Sequence, residues 1–113
     1  MAKKEIGKQS VEFDCPPLIA GAASVVGEKE EQGPYGEYFD HVIRDPMAGQ
    51  DTWEEAEERF QQVAAEMAIE KCGLEKKDIR YVVAGDLLGQ LIASSFGLMN
   101  LDIPIFGVYG ACS

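Results

Sequence analysis

Four apolar residues in a row, Tyr81-Val82-Val83-Ala84, stand between Arg80 and the pair Gly85-Asp86. An unbroken apolar run of strand length suits a β-strand covered on both faces, as in a parallel sheet, because alternation disappears when neither face meets water. A second run, Ile103-Pro104-Ile105-Phe106-Gly107-Val108-Tyr109, reads as another buried strand. Parallel neighbours cannot be joined by a tight hairpin; they need a crossover, usually a helix. The segment Gln90–Phe96 supplies one: the spacing predicts a short helix with Leu91, Ile92, Ser95 and Phe96 on one side, closed at Asn100.

The clearest element lies upstream. Thr52 followed by Glu55 is a capping-box pattern, and Glu54, Glu55, Glu57 and Glu58 crowd the first turns, next to the positive end of a helix dipole. Trp53, Ala56, Phe60, Val63, Ala64, Met67 and Ala68 recur at helical spacing, so a helix is predicted from Trp53 to about Cys72, with Gly73 as the residue that ends it. The glutamates have two readings, metal ligands or a solvated helix face, and the second is the usual meaning of such a run.

Toward the amino end the signals are shorter. Residues 1–10 are polar, with mobility expected at the extreme end. Val11-Glu12-Phe13 alternates like a strand, interrupted by Cys15-Pro16-Pro17. Leu18 to Gly27 is apolar and rich in small residues, which predicts a buried strand; two glycines weaken the helical alternative. Glu28 to Gly36 reads as a charged loop, and residues 37–50 as a short helix or an extended flap that ends at Asp45-Pro46. Strands alternating with helices predict an α/β layer with a mostly parallel sheet, a single domain over residues 1–113.

With ten Lys and Arg against twenty Asp and Glu, the net charge is −10. A nucleic-acid backbone demands the opposite balance, as does broad attraction to an anionic membrane. Three cysteines, Cys15, Cys72 and Cys112, form no CxxC and no pairing pattern, so reduced thiols are expected and no metal site. The start, Met1-Ala2-Lys3-Lys4-Glu5, is not followed by the apolar run of a secretory signal, and no stretch is long and apolar enough to span a bilayer.

Cys112 leads the candidates for chemistry. It lies just past the second apolar strand, where open α/β sheets place their ligands, after Gly110, which permits a sharp bend. A helix following it would favour the thiolate and an anion; the other reading is a small buried hydrophobe. Asp86 ends the first strand at the same edge. It could orient a ligand, but an acid there more often caps the next turn. His41 stands between Asp40 and the Val42-Ile43-Arg44 stretch, and nothing in the spacing brings it to Cys112 as an activating base. No P-loop, dinucleotide fingerprint or serine-nucleophile motif is present.

Several stretches in order, Gly33-Pro34-Tyr35-Gly36 with Phe39-Asp40, Trp53-Glu54-Glu55-Ala56-Glu57, Leu74-Glu75-Lys76-Lys77-Asp78-Ile79, Ala84-Gly85-Asp86-Leu87-Leu88 and Phe106-Gly107-Val108-Tyr109-Gly110-Ala111-Cys112-Ser113, resemble the stage V sporulation AD family, thiolase-fold proteins of endospore formers. The resemblance runs from about Gly7 to Ser113. It implies a thiolase-like fold of two similar halves, with this chain as the early part of the first half, truncated at the Cys turn. It implies non-catalytic binding of dipicolinic acid (pyridine-2,6-dicarboxylate) during uptake into the spore, without a cofactor. Cys112 and Ser113 would then lie on the pocket wall, with Asp86 at the same edge. The implied partners are membrane proteins of the same uptake system, with room for a homodimer at full length. The implied location is cytoplasmic or peripheral at the spore inner membrane. In related thiolases and ketoacyl synthases the cysteine matching Cys112 carries an acyl group, which leaves an acyltransferase fragment as the alternative.

Overall fold

A computed structural model describes residues 3–88 and 91–110. Strands β1 (Lys3–Ile6) and β2 (Ser10–Phe13) form an antiparallel hairpin in the register Lys3 to Phe13 and Ile6 to Ser10. Gly7, at φ +66°, makes the bend that a side chain would resist. The polar stretch at the amino end, where the sequence predicted no strand, therefore contributes β1.

The predicted buried strand over Leu18–Gly27 shrinks to β3 (Val25–Gly27). Leu18 and Ile19 stand in solvent, 88% and 91% exposed. Two prolines just before them remove ladder donors, and the small residues that follow serve a different purpose. A Cβ on Gly21 would come within 2.6 Å of the Cys72 sulfur and 3.6 Å of the Cys72 amide nitrogen, so the chain packs against the end of the long helix here, and a side chain would require the Cys72 thiol to turn aside.

A short helix α1 (Glu28–Glu31) follows β3, where the sequence predicted a loop, and a single 3-10 turn spans Gly36–Tyr38. Strand β4 (His41–Ile43) then pairs with β3 in parallel, Val25 opposite His41. Residues 37–50 are thus a turn and a strand rather than a helix. Asp45 ends the segment by accepting from the backbone N–H groups of Met47 (3.0 Å) and Gly49 (2.7 Å). Asp40 fastens the ladder to its surroundings. Its carboxylate accepts from the Ser24 N–H at 2.8 Å and from Lys71 Nζ at 2.6 Å. The bond from Lys71, helped by those from Ser24, holds the Asp40 carboxyl below the ordinary carboxylate range.

Helix α2 (Trp53–Lys71) matches the sequence expectation closely. Thr52 Oγ1 accepts from the Glu55 N–H and the Glu55 carboxylate accepts from the Thr52 N–H, both at 3.2 Å, a complete capping box. Gly73, at φ +67°, turns the chain away at the far end.

Strands β5 (Val82–Ala84) and β6 (Ile105–Gly107) pair in parallel, with Val82 opposite Ile105. Helix α3 (Ile92–Gly97) and a 3-10 turn at Met99–Leu101 make the crossover. Two expectations fail here. Tyr81 and Val83 are 57% and 63% exposed, so the four-residue apolar run is covered on one face only in this chain. The opposite strand repeats this: Phe106 shares that open face, its ring edge-on to Tyr81 at 5.9 Å. Helix α3 also turns its predicted apolar side outward, with Ile92 and Phe96 half in solvent while Ala93, Ser94 and Gly97 are buried. The reason is steric. A Cβ on Gly97 would lie 2.6 Å from the Glu58 carbonyl oxygen, so α3 meets α2 through its smallest residues. The buried apolar set comes from these elements: Ala56 from α2, Ala93 from α3, Leu98 from the cap of α3 and Leu101 from the 3-10 turn.

The architecture is mixed α/β. Among the described residues the strands form one antiparallel and two parallel pairs rather than one continuous sheet. No described helix is long and apolar enough to cross a membrane.

Candidate functional site

Parallel pairing brings the carboxyl ends of β5 and β6 to one edge. The Val108 N–H donates to the Ala84 carbonyl at 2.7 Å, carrying the pairing past the last strand residues, and Gly110 then bends at φ +64°. Cys112 and Ser113, the expected wall residues, lie outside the described residues.

Asp86 stands at this edge, part-buried, with both oxygens engaged. Oδ1 accepts from the Leu91 N–H at 2.8 Å; Oδ2 accepts from the Ser94 N–H at 2.8 Å and from the Ser94 hydroxyl at 2.7 Å. Burial pushes the carboxyl up, but these bonds outweigh it and hold Asp86 below the ordinary range. Of the two roles its position suggested, the cap is the one its bonds describe. The residue at the N-cap of α3, Leu91, provides no side-chain cap; Asp86 satisfies the amino end of the helix from upstream in the chain.

Leu91 occupies the left-handed region at φ +85°, where a branched side chain rarely goes. Its methyl groups lie 3.0–3.1 Å from where a Cβ on Gly107 would be. Glycine in β6 thus makes room for Leu91, and Leu91 covers the inner side of the strand pair next to the edge.

Glu57 completes the arrangement, and the sequence reading missed it. From the second turn of α2 its two carboxylate oxygens accept from the backbone N–H groups of Leu87 (2.9 Å) and Leu88 (3.0 Å). It was read as one member of a solvated acidic face. The signal lay in its spacing: Glu57 falls between Trp53 and Phe60 on the stripe that turns toward the protein. Its neighbours differ in environment. Glu55 belongs to the cap, and burial pushes the Glu58 carboxyl up, with the charge of Glu55 adding to the effect. One turn further along α2, Gln61 reaches the Gly85 carbonyl with its amide at 3.5 Å.

A groove of about 840 Å³ is lined by Leu87, Leu88, Trp53, Ala56, Phe60 and Glu57, and on its other side by the charged residues of α1 and Arg44. A smaller hollow of about 510 Å³ lies near Ser95, Met99 and Pro104. Neither is lined by Asp86 or Gly110. His41 sits exposed in the β3/β4 ladder rather than in the β5/β6 pair. Among the described residues no three His, Cys, Asp or Glu side chains converge as a metal cluster.

Comparison with known proteins gives a consistent result. The family model for stage V sporulation protein AD matches residues 7–113. A curated relative described as "Stage V sporulation protein AD", from Bacillus subtilis (strain 168), is 36% identical over 110 residues. That match covers 97% of this chain and 32% of the relative, so the chain spans about a third of the relative's length.

Proposed function

The chain belongs to the stage V sporulation protein AD family, and from that premise we propose that it supplies one wall of a non-catalytic binding site for dipicolinic acid. In this reading residues 1–113 are the amino-terminal part of the first half of a thiolase-like domain. The wall is the β5/β6 edge, with Cys112 and Ser113 facing the ligand.

One observation carries the reading: two parallel strands end together, the chain after β6 turns at Gly110, and the turn after β5 is fixed by a carboxylate. A rigid dianion is bound by backbone N–H donors at a concave strand-end edge, the usual ligand position in open α/β sheets. Asp86 is ionised, but its oxygens are already occupied by Leu91 and Ser94. It would therefore serve the site by holding the turn rather than by touching an anion, which its own charge would repel. The proposal extends to membrane proteins of the spore uptake system as partners, to a homodimer at full length, and to a location in the cytoplasm or at the face of the spore inner membrane.

Calorimetry on the full-length protein with pyridine-2,6-dicarboxylate tests this. Heat of binding with a simple saturable isotherm is the expected outcome, and none at millimolar ligand overturns it. Incubation with acetyl-CoA followed by mass spectrometry tests the non-catalytic part. No adduct is expected; a labile acyl group on Cys112 would establish an acyltransferase instead.

A further inference from the structure

We propose that Glu57 is a positioning residue for the ligand-binding edge, acting through the chain that leaves β5. The inference rests on the proposed function for the identity of the ligand, but its geometry stands apart from it.

Two carboxylates from different elements grip the chain between β5 and α3. Asp86 holds the Leu91 and Ser94 amides at the start of α3. Glu57, on α2, holds the Leu87 and Leu88 amides immediately after Asp86 itself. The two N–H groups it takes are neighbours in the chain, and each oxygen receives one, so the carboxylate acts as a two-point clamp on a segment with no ladder of its own. Without the clamp, both amides would turn to water, since their bonds to Glu57 lie in the exposed part of the molecule, and the segment would lose its fixed attachment to α2. Leu87 and Leu88 are 68% and 53% exposed, so little apolar burial holds this segment in place. The position of Asp86, and with it the turn at the β5/β6 edge, thus depends on a side chain of α2. Gln61, bonded to the Gly85 carbonyl from the same side of α2, adds a weaker tether to the same stretch.

A carboxylate is needed for this and an amide is not enough. Glutamine at position 57 would accept from one N–H and present its own NH₂ to the other. Removal of the same charge from Glu54, exposed in the first turn of the same helix, leaves every one of these bonds intact.

The test compares Glu57→Gln, Glu54→Gln and the unaltered full-length protein by amide hydrogen exchange and by calorimetry with pyridine-2,6-dicarboxylate. In Glu57→Gln the Leu87 and Leu88 amides should exchange at least tenfold faster, and ligand affinity should fall about tenfold, the scale of one charge-assisted bond. Amides in the middle of α2 should exchange as before, and Glu54→Gln should match the unaltered protein in both measurements. Unchanged exchange at Leu87 and Leu88 overturns the clamp. Faster exchange with unchanged affinity overturns the positioning role and leaves Glu57 a purely structural residue. If the unaltered protein binds no dipicolinate, the proposed function fails, and the exchange of Leu91 and Ser94 decides the inference: loss of their protection in Glu57→Gln supports it, and full protection overturns it.

Discussion

Ser94 donates twice to the same oxygen of Asp86, through its backbone N–H at 2.8 Å and its hydroxyl at 2.7 Å. Ser94 is fully buried, so both donors would be stranded without this partner. The acid at the end of β5 and the serine inside α3 thus form one unit. It joins strand to helix where the chain passes from the sheet edge to the α2/α3 crossing.

Replacing Asp86 with Asn should therefore destabilise the protein by about 1–3 kcal/mol, because one oxygen becomes an NH₂ that cannot accept. The effect should depend on pH in a defined direction. The hydrogen bonds hold the folded carboxyl below its ordinary value. Its contribution is therefore present in full above the unfolded value of about 3.9 and is lost as the pH falls through the lower folded value. Urea titrations of both proteins should show a constant gap in midpoint from pH 5 to 7 and a narrowing gap below about pH 4. A gap that stays constant to pH 2 would remove the carboxylate from this role.

Gly97→Ala should cost about 1–3 kcal/mol, the range for overpacking a tight contact. The added carbon would lie 2.6 Å from the Glu58 carbonyl oxygen and 2.9 Å from its Cα, and both atoms are backbone that cannot rotate away. The two helices must separate, although alanine is the better helix former. Thermal unfolding decides the sign: a higher midpoint would mean that propensity wins and that the crossing is looser than its geometry.

The same crossing explains which parts of the fold were legible in the sequence. Local chemistry was readable: the Thr52–Glu55 box, the Gly73 exit, the existence of β5 and β6 and the helix between them all follow from neighbours in the chain. Tertiary contacts were not. Helical spacing put Ile92 and Phe96 inside because they are large and apolar, but a close approach to the α2 backbone selects Ala93, Ser94 and Gly97 instead. The apolar Leu18–Gly27 stretch looked like a strand because composition cannot reveal that Gly21 packs against Cys72 at the end of α2. Of the site, Asp86 was visible from its place at a strand end, but its bonds to Leu91 and Ser94 join residues five and eight positions on. Glu57 was lost among the acids of its helix, since its partners lie thirty residues away.

Leu91 provides the last prediction. At φ +85° its Cβ crowds the backbone, at a cost of about 1–2 kcal/mol that glycine does not incur. Its side chain contributes too, since it covers Gly107 at the inner face of β6. Leu91→Ala removes that cover and keeps the crowding. Leu91→Gly removes both. Glycine should therefore be the milder substitution, by about 1 kcal/mol, the reverse of the order found at an ordinary helix position. The Leu91 N–H bond to Asp86 survives in both variants, so the comparison isolates the backbone conformation. Denaturant midpoints for the pair check it, and alanine proving the more stable would show that residue 91 does not hold a left-handed conformation in solution.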